Sequence, residues 1–197
     1  MDERLLGHPV IVFDIGNVLL RFDPQELAKI YFPAERFDAL FYAVFRSGLW
    51  PILDTGLMGM GELARKMYEA IPGEKQEADY LCISRLLNNF HQHMTPMKAS
   101  GWLKELKAAG KKLYYLTNYG CPQLEETLAL NPFFSLFDGG VVSAREHVTK
   151  PASRIFRILC ERYGFDPRDA LFIDDSKDNT DAALKEGFHV WHYTDKD

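Results

Sequence analysis

The sequence has few cysteines, no long hydrophobic segment and no excess of positive charge. Its three cysteines, Cys82, Cys121 and Cys160, are odd in number and far apart. This spacing fits neither a disulfide framework nor a metal site, so we expect reduced thiols. The first residues are acidic, and Asp14 interrupts the apolar segment that follows them. From these features we expect neither a signal peptide nor a membrane span, and we expect a cytoplasmic protein.

The charge balance narrows the choice of partners. The formal net charge is −5, with 23 basic and 28 acidic residues. A chain with this balance offers no basic surface for nucleic acid or for an anionic membrane. It must bind an anionic substrate through local positive potential, from a metal ion, a lysine or helix N-termini. The sequence carries no signal for an oligomeric state.

Five short apolar segments without alternation predict strands that are buried on both faces of a parallel sheet. From the second strand onward, helical patterns separate them, and two of these patterns end at Gly164 and Gly187, where a helix C-cap belongs. We therefore expect an α/β fold with a doubly wound, Rossmann-like parallel sheet. The predicted strands are Val10–Phe13, Leu113–Leu116, Val141–Val142, Leu171–Ile173 and Val190–Trp191.

About a hundred residues separate the first two predicted strands, far more than one crossover helix requires. We identify several helical patterns in this stretch and no strand. Apolar residues recur there at helical spacing within 37–45, 60–67 and 83–90, as in a small helical bundle. We predict that residues 19–94 form a helical cap, inserted into a core made of residues 1–18 and 95–197.

Polar residues follow four of the predicted strands, at the edge where α/β sheets bind ligands. Converging carboxylates repel one another unless a hard cation lies among them, and an oxygen-only ligand set suits Mg²⁺. A lysine and a hydroxyl are what a transferring phosphoryl group needs around its oxygens. The strand ends together predict phosphoryl-transfer chemistry. The residues are Asp14, Thr117, Asn118, Lys150, Asp174 and Asp175.

Four segments resemble, in order and spacing, the motifs of the haloacid dehalogenase-like superfamily. They are FDIGNVLL at 13–20, YYLTN at 114–118, VTKP at 148–151 and FIDDSKDN at 172–179. The insertion resembles the cap domain of that superfamily. The FDIGNV and DDxxxN forms most resemble a bacterial branch that includes phosphatases acting on α-D-glucose 1-phosphate. The resemblance implies a phosphoric monoester hydrolase acting on a small phosphorylated metabolite such as a hexose 1-phosphate.

The resemblance also implies a role for each motif residue. Asp14 would be the nucleophile and form an aspartyl-phosphate intermediate. Thr117 and Asn118 would bind the phosphoryl oxygens, and Lys150 would neutralise charge between Asp14 and the phosphate.

The same resemblance implies a set of metal ligands. Mg²⁺ would be held by Asp14, by the backbone carbonyl of Gly16 and by Asp175. Asp174 and Asn179 would support the metal from the first or second shell.

Gly16 departs from the pattern of most phosphatases in the superfamily. They carry a second Asp two residues after the nucleophile, as general acid and base. The glycine keeps the backbone carbonyl but removes a group that typically contributes about 10²–10⁴-fold. The sequence leaves open whether water or a residue of the insertion protonates the leaving group.

Weaker candidates lie outside the four motifs. Arg46 and Trp50–Asp54 flank a break in the insertion and are candidates to reach the active site. Arg21, just beyond the first motif, faces either the phosphate or only the hinge. His91 and His93 lie two residues apart without a third ligand nearby, so we expect a solvated pair.

Three other functions fit part of the pattern. A signalling receiver domain also uses an Asp, a Thr and a Lys, but its acidic pair follows the first strand. A haloacid dehalogenase needs no acid at Gly16, since halide departs without a proton, but it also needs no metal. A sensor that binds phosphorylated metabolites without turnover fits the same residues.

Overall fold

The computed structural model describes residues 3–194. Residues 1–2 and 195–197, which belong to the predicted core, lie outside this range. Its strands are β1 Val10–Phe13, β2 Leu20–Arg21, β3 Thr95–Pro96, β4 Lys112–Thr117, β5 Gly139–Val142, β6 Ala170–Asp174 and β7 His189–His192. Its α-helices are α1 Glu3–Leu6, α2 Pro24–Tyr31, α3 Phe37–Phe41, α4 Trp50–Thr55, α5 Met60–Glu69, α6 Glu77–Asn89, α7 Leu103–Ala108, α8 Cys121–Leu130, α9 Ser143–Glu146, α10 Ser153–Tyr163 and α11 Lys177–Lys185. Short 3₁₀ segments cover Ala34–Arg36, Phe90–His93, Lys98–Trp102, Pro132–Leu136 and Pro167–Asp169, and Tyr42–Arg46 forms a π-helical turn.

Five strands form one parallel sheet in the order β5-β4-β1-β6-β7. The predicted α/β fold with a doubly wound parallel sheet is confirmed, and every predicted strand lies within an observed one. After β1 the chain adds β4 and β5 on one side, then returns to add β6 and β7 on the other. The carboxyl end of β1 is therefore the switch point, where open α/β sheets bind their ligands.

Alternate residues of β1 enter two different hydrophobic clusters. Val10 and Val12 pack with α10 and the neighbouring strands on one face. Ile11 and Phe13 belong to a larger cluster on the other face. This second cluster continues without a break into the helices between β1 and β4, through residues such as Leu63. Because the helical segment shares this core, it is held against one face of the sheet.

A short antiparallel ribbon joins the two ends of the helical insertion. Leu20 pairs with Pro96 and Arg21 pairs with Thr95. We identified no strand in this stretch, because two residues are too few to show a period of two. The ribbon lies beside the predicted boundaries at residues 19 and 94.

Two further observations concern helix length and the cysteines. Across residues 3–194, no helix is both long enough and apolar enough to cross a membrane. The three cysteines are free thiols in the structure, and each is partly buried.

The helical insertion contains a buried ion pair that also caps a helix. Asp79 is 2% exposed and accepts hydrogen bonds from Arg36 Nε at 3.0 Å and Arg36 Nη2 at 2.6 Å. Its Oδ2 also accepts from the backbone N–H of Gln76 at 2.8 Å, which completes a capping box on α6. One carboxylate thus joins the start of α6 to the segment before α3.

We expect Asp79→Ala to lower the free energy of unfolding by about 3 kcal/mol, because it breaks a buried pair and removes a cap. Burial raises the pKa of Asp79, but the hydrogen bonds from Arg36 and Gln76 outweigh this effect and lower the pKa below its ordinary value. The stabilisation is therefore present above the ordinary pKa of Asp and is lost as the pH falls through the lowered value. Urea unfolding at neutral and acid pH checks this, with the exposed Glu77→Ala on the same helix as control. An equal effect of both variants would contradict it.

Candidate active site

Asp14 lies at the carboxyl end of β1, at the switch point of the sheet. Its backbone N–H continues the sheet by donating to the carbonyl of Ile173 at 2.9 Å. Asp14 is 8% exposed, and its Oδ1 accepts from the N–H of Ile15 at 2.7 Å. The backbone therefore fixes both the position and the orientation of this carboxylate.

Lys150 lies between the ends of three strands and is 4% exposed. Its Nζ is 2.9 Å from Asp14 Oδ1 and 2.7 Å from Asp174 Oδ2. It also donates to the carbonyl of Leu116 at 2.9 Å. The ammonium group thus uses its three N–H donors on the ends of β1, β4 and β6, and it sets the spacing between two carboxylates.

Asn118 holds the loop that carries Lys150. Its Oδ1 accepts from the backbone N–H of Lys150 at 2.8 Å, and its Nδ2 donates to the carbonyl of Lys150 at 3.0 Å. This pair of bonds positions the backbone of Lys150. Thr117 precedes Asn118 at the end of β4 and is 1% exposed. The amide of Asn118 is committed to Lys150, so the hydroxyl of Thr117 is the free polar side-chain group of this pair.

Asp174 is fully buried and saturated with hydrogen bonds. Beyond Lys150, its Oδ1 accepts from the N–H of Ser176 at 2.8 Å. Asn179 Nδ2 approaches both carboxylate oxygens, at 3.0 and 3.1 Å. These contacts leave Asp174 little capacity for another partner. They suit a group that orients its neighbours.

Asp175 is partly exposed, and its side chain accepts a hydrogen bond from Asn17 Nδ2 at 3.3 Å. One carboxylate oxygen from each of Asp14, Asp174 and Asp175 lies within 4.8 Å of the others. A hard cation prefers such oxygen ligands. Among the described residues, this is the group of His, Cys, Asp and Glu side chains that meets the spacing of a metal site.

The electrostatics of the cluster depend on Lys150. Burial raises the pKa of Asp14, Lys150 opposes this, and Asp174 reinforces it. Burial also works to lower the pKa of Lys150, but Asp14 and Asp174 outweigh it and raise that pKa. Burial and the charge of Asp174 raise the pKa of Asp175 as well. Lys150 therefore stays charged. Its single positive charge is too little to neutralise all three carboxylates.

Asp14 and Thr117 open into a cavity whose other walls come mostly from the helical insertion. Trp50 stands at the centre of an aromatic row, 5.5 Å from Phe22 and 5.4 Å from Phe90 between ring centroids. Met94 and Tyr119 complete the apolar wall. The polar lining residues are Asp14, Gly16, Asp54, Thr117 and Asn118. The cavity thus places an apolar surface opposite a carboxylate and a hydroxyl.

Gly16 has space beside it. A Cβ atom added at this position would meet no heavy atom within 4 Å, and the φ of Gly16 lies outside the left-handed region. The backbone therefore does not require glycine here.

Asn17 is a residue that the sequence analysis missed. It holds a left-handed conformation, with φ of 53°. Its side chain joins Asp175 to the backbone N–H of Phe22, the latter at 2.9 Å. Asn is among the residues that adopt this conformation most readily. An Asn two residues before the chain leaves the core was therefore the signal in the sequence that could have identified this position.

Among the weaker candidates, only the segment 50–54 reaches the cavity, through Trp50 and Asp54. Arg46 lies over the ring of Phe41, 5.3 Å from its centroid. Arg21 pairs with Asp23 at the surface, at 3.3 Å. Neither arginine lines the cavity.

The expectation of a solvated histidine pair was wrong for His91. It is 1% exposed, because it sits beneath α8, with Nε2 2.7 Å from Glu126. His93 is exposed and contacts the hydroxyl of Tyr31 at 2.9 Å.

The sequence matches a model of the haloacid dehalogenase-like hydrolases over residues 8–187. The chain therefore belongs to this family of hydrolases, and the receiver-domain alternative is excluded. A sesquiterpene phosphatase of Aspergillus oryzae is 23% identical over 186 residues, which cover 93% of this chain and 89% of that protein. An (S)-2-haloacid dehalogenase of Pseudomonas putida is 28% identical over 105 residues, or 53% of this chain and 46% of the enzyme.

A solved structure supports the fold over nearly the whole chain. A haloacid dehalogenase-family enzyme of Bacteroides thetaiotaomicron, in complex with magnesium and inorganic phosphate, superposes with a TM-score of 0.72. The match covers 97% of this chain and 96% of that one, at 22% identity.

Proposed function

We propose that this protein is a Mg²⁺-dependent phosphatase that hydrolyses a small phosphorylated metabolite through an aspartyl-phosphate intermediate. The observation that carries the proposal is the position of Lys150. It contacts Asp14 and Asp174 at the same sheet edge where Asp14 and Thr117 face a cavity. A charged lysine beside a fixed carboxylate suits nucleophilic attack on a phosphoryl group, whose equatorial oxygens carry the charge.

The roles follow from these contacts. Asp14 attacks phosphorus, and Lys150 neutralises charge on Asp14 and on the phosphoryl oxygens. Thr117 donates its hydroxyl to a phosphoryl oxygen. The side chain of Asn118 acts through Lys150 rather than on the substrate, because both of its polar atoms bond the Lys150 backbone.

The donor set fits Mg²⁺, since three carboxylates converge with one lysine between them. Asp14, Asp175 and the carbonyl of Gly16 would hold the ion, with Asp174 and Asn179 in support. When bound, the ion supplies charge that offsets the repulsion between the carboxylates and the phosphate.

We expect Asp175→Ala to raise the Mg²⁺ concentration for half-maximal activity by at least about tenfold, since it removes one of few protein ligands. Asp174→Ala is expected to change this requirement less but to lower the melting temperature more, because Asp174 is buried and saturated. Magnesium titrations and thermal unfolding of both variants check this, with the exposed Asp169→Ala as control. The reverse order would show that the roles of the two residues are exchanged.

The helical segment 19–94 acts as a cap in this proposal, since it supplies Phe22, Trp50 and Phe90 to the cavity wall. A cap of this kind contacts the part of the substrate that leaves. Its residues would therefore determine which metabolite the enzyme accepts.

The leaving group meets a mostly apolar wall. A hexose 1-phosphate, which the motif resemblance implies, would place its hydroxyls against few polar partners. An aryl or isoprenyl leaving group suits the wall better, and one full-length relative is a sesquiterpene phosphatase. We therefore propose aryl and isoprenyl monophosphates, as well as hexose 1-phosphates, as candidate substrates. A panel of the three classes at matched concentration ranks them by kcat/KM.

Haloacid dehalogenation is the second candidate, because Gly16 would not impair it and relatives carry this activity. The carboxylates at 174 and 175 favour the phosphatase, since dehalogenases need no metal. Phosphate release from p-nitrophenyl phosphate, with and without Mg²⁺, beside halide release from 2-haloacids separates the two. Binding of a phosphorylated metabolite without turnover would instead indicate a sensor.

A further inference from the structure

The cavity contains few groups able to exchange a proton with a leaving group. Gly16 has no side chain, and Lys150 is held by its three acceptors. The hydroxyl of Tyr119 is turned toward Thr127, at 2.8 Å, and burial raises its pKa, so it keeps its proton. Of the lining residues, only Asp14 and Asp54 carry carboxyl groups. Since Asp14 is the nucleophile in the proposed function, Asp54 is the remaining acid.

Asp54 reaches the cavity from the helical insertion. Trp50 and Asp54 lie four residues apart on α4, so they share one face of the helix. Both line the same cavity as Asp14 and Thr117. Across residues 3–194, no hydrogen-bond donor pairs with the carboxyl group of Asp54. A carboxyl group facing a cavity without a partner is free to bond a ligand.

The backbone of Asp54 is anchored to the core. The hydroxyl of Ser143 donates to the carbonyl of Asp54 at 2.5 Å and accepts from the N–H of Tyr119 at 2.9 Å. His147 Nδ1 lies 3.0 Å from the carbonyl of Thr55.

Gly56 ends α4 in a left-handed conformation, where a side chain would overlap the backbone of Ala144. This close approach and the two hydrogen bonds before it fix the end of α4 against α9. Asp54 therefore has a fixed position relative to the sheet edge.

The environment of Asp54 also suits an acid. Burial raises its pKa to about 7, against a smaller opposing effect of Lys150. A general acid works best with a pKa near the operating pH. Both protonation states are then accessible within one catalytic cycle.

We propose that Asp54 is the general acid and base of this enzyme, in place of the side chain absent at Gly16. The inference rests on the proposed phosphatase function. As Asp14 bonds to phosphorus, the bond from phosphorus to the leaving oxygen breaks, and that oxygen takes the proton of Asp54. Water then attacks the phosphoryl group and gives a proton to the Asp54 carboxylate. The bond to Asp14 breaks, and inorganic phosphate leaves with Asp54 reprotonated.

The test compares wild type and Asp54→Asn on p-nitrophenyl phosphate, phenyl phosphate and an alkyl phosphate, each with saturating Mg²⁺. In Asp54→Asn, kcat/KM for the alkyl phosphate should fall about 10²–10⁴-fold. For p-nitrophenyl phosphate the fall should be under about tenfold, because p-nitrophenolate departs without a proton. Loss of the base should also slow hydrolysis of the intermediate. A burst of about one p-nitrophenol per enzyme is therefore expected in the variant only.

Asp38→Asn makes the same change at an exposed carboxylate of the insertion and should match wild type. Melting temperatures of both variants show whether the fold is kept. An equal loss on all three substrates, or none, overturns the role of Asp54 while leaving the phosphatase proposal intact. Absence of Mg²⁺-dependent phosphate release from every substrate by wild type overturns both proposals.

Discussion

Asp14→Asn is expected to lower the kcat of Mg²⁺-dependent phosphate release by at least about 10⁴-fold. This is the scale of loss when a covalent nucleophile is removed. An amide oxygen is a poor nucleophile and cannot form the aspartyl phosphate. The substitution keeps the shape of the side chain, and its oxygen can still accept the N–H of Ile15. The change therefore removes chemistry while it preserves packing. Steady-state phosphate release and trapping of the phosphorylated enzyme measure the two consequences.

The folded state of Asp14→Asn should be at least as stable as that of wild type. Asp14 lies among converging carboxylates, and burial disfavours its charge. Removing one negative charge relieves repulsion that the protein tolerates for function. The matched control is Asp169→Asn at the surface. Retained turnover in a folded Asp14→Asn would show that another residue takes the phosphoryl group.

The sheet was predictable because its signals are local. The segment VIVF at Val10–Phe13 has no alternation, and it became a central strand buried on both faces. Gly164 ends α10 in the left-handed conformation that its position in the pattern predicted. In both cases the relevant physics acts within a few residues. The ribbon at Leu20–Arg21 was missed, because its two residues are paired only with a distant segment.

Most side chains that meet at the candidate site were predictable from the sequence, but their contacts were not. Strand ends meet at one edge of a parallel sheet, and this placed Asp14, Lys150 and Asp174 together. The sequence did not show that the side-chain amide of Asn118 hydrogen-bonds the backbone of Lys150, 32 residues away. Nor did it select Asp54 from the segment 50–54, since its position depends on how α4 packs against α9. Contacts between distant segments leave no periodic signal in the sequence.

Lys150→Met is expected to cost both activity and stability. Without the ammonium group, only the bound ion would offset the charge between Asp14 and the phosphate, and a loss of about 10²–10³-fold is expected in kcat. Removal of one partner from a buried pair typically costs about 3–5 kcal/mol, because the remaining charge stays buried. Here two carboxylates lose their partner at once. The exposed Lys104→Met makes the same change at the surface and should leave both properties unchanged.

The double variant Lys150→Met/Asp174→Asn separates the two losses. The Asp174 oxygen that accepts from Ser176 and Asn179 would be kept as the amide oxygen. The other oxygen, which faces Lys150 and also accepts from Asn179 at 3.1 Å, would become an uncharged NH₂ group. Stability should then recover in part, because a buried unpaired charge is removed. Activity should not recover, since the cation beside Asp14 is still missing. Urea unfolding and phosphate release on the four members of this cycle give the two couplings. If activity returned along with stability, Lys150 would act only by holding the fold, and its proposed role on the phosphoryl group would be wrong.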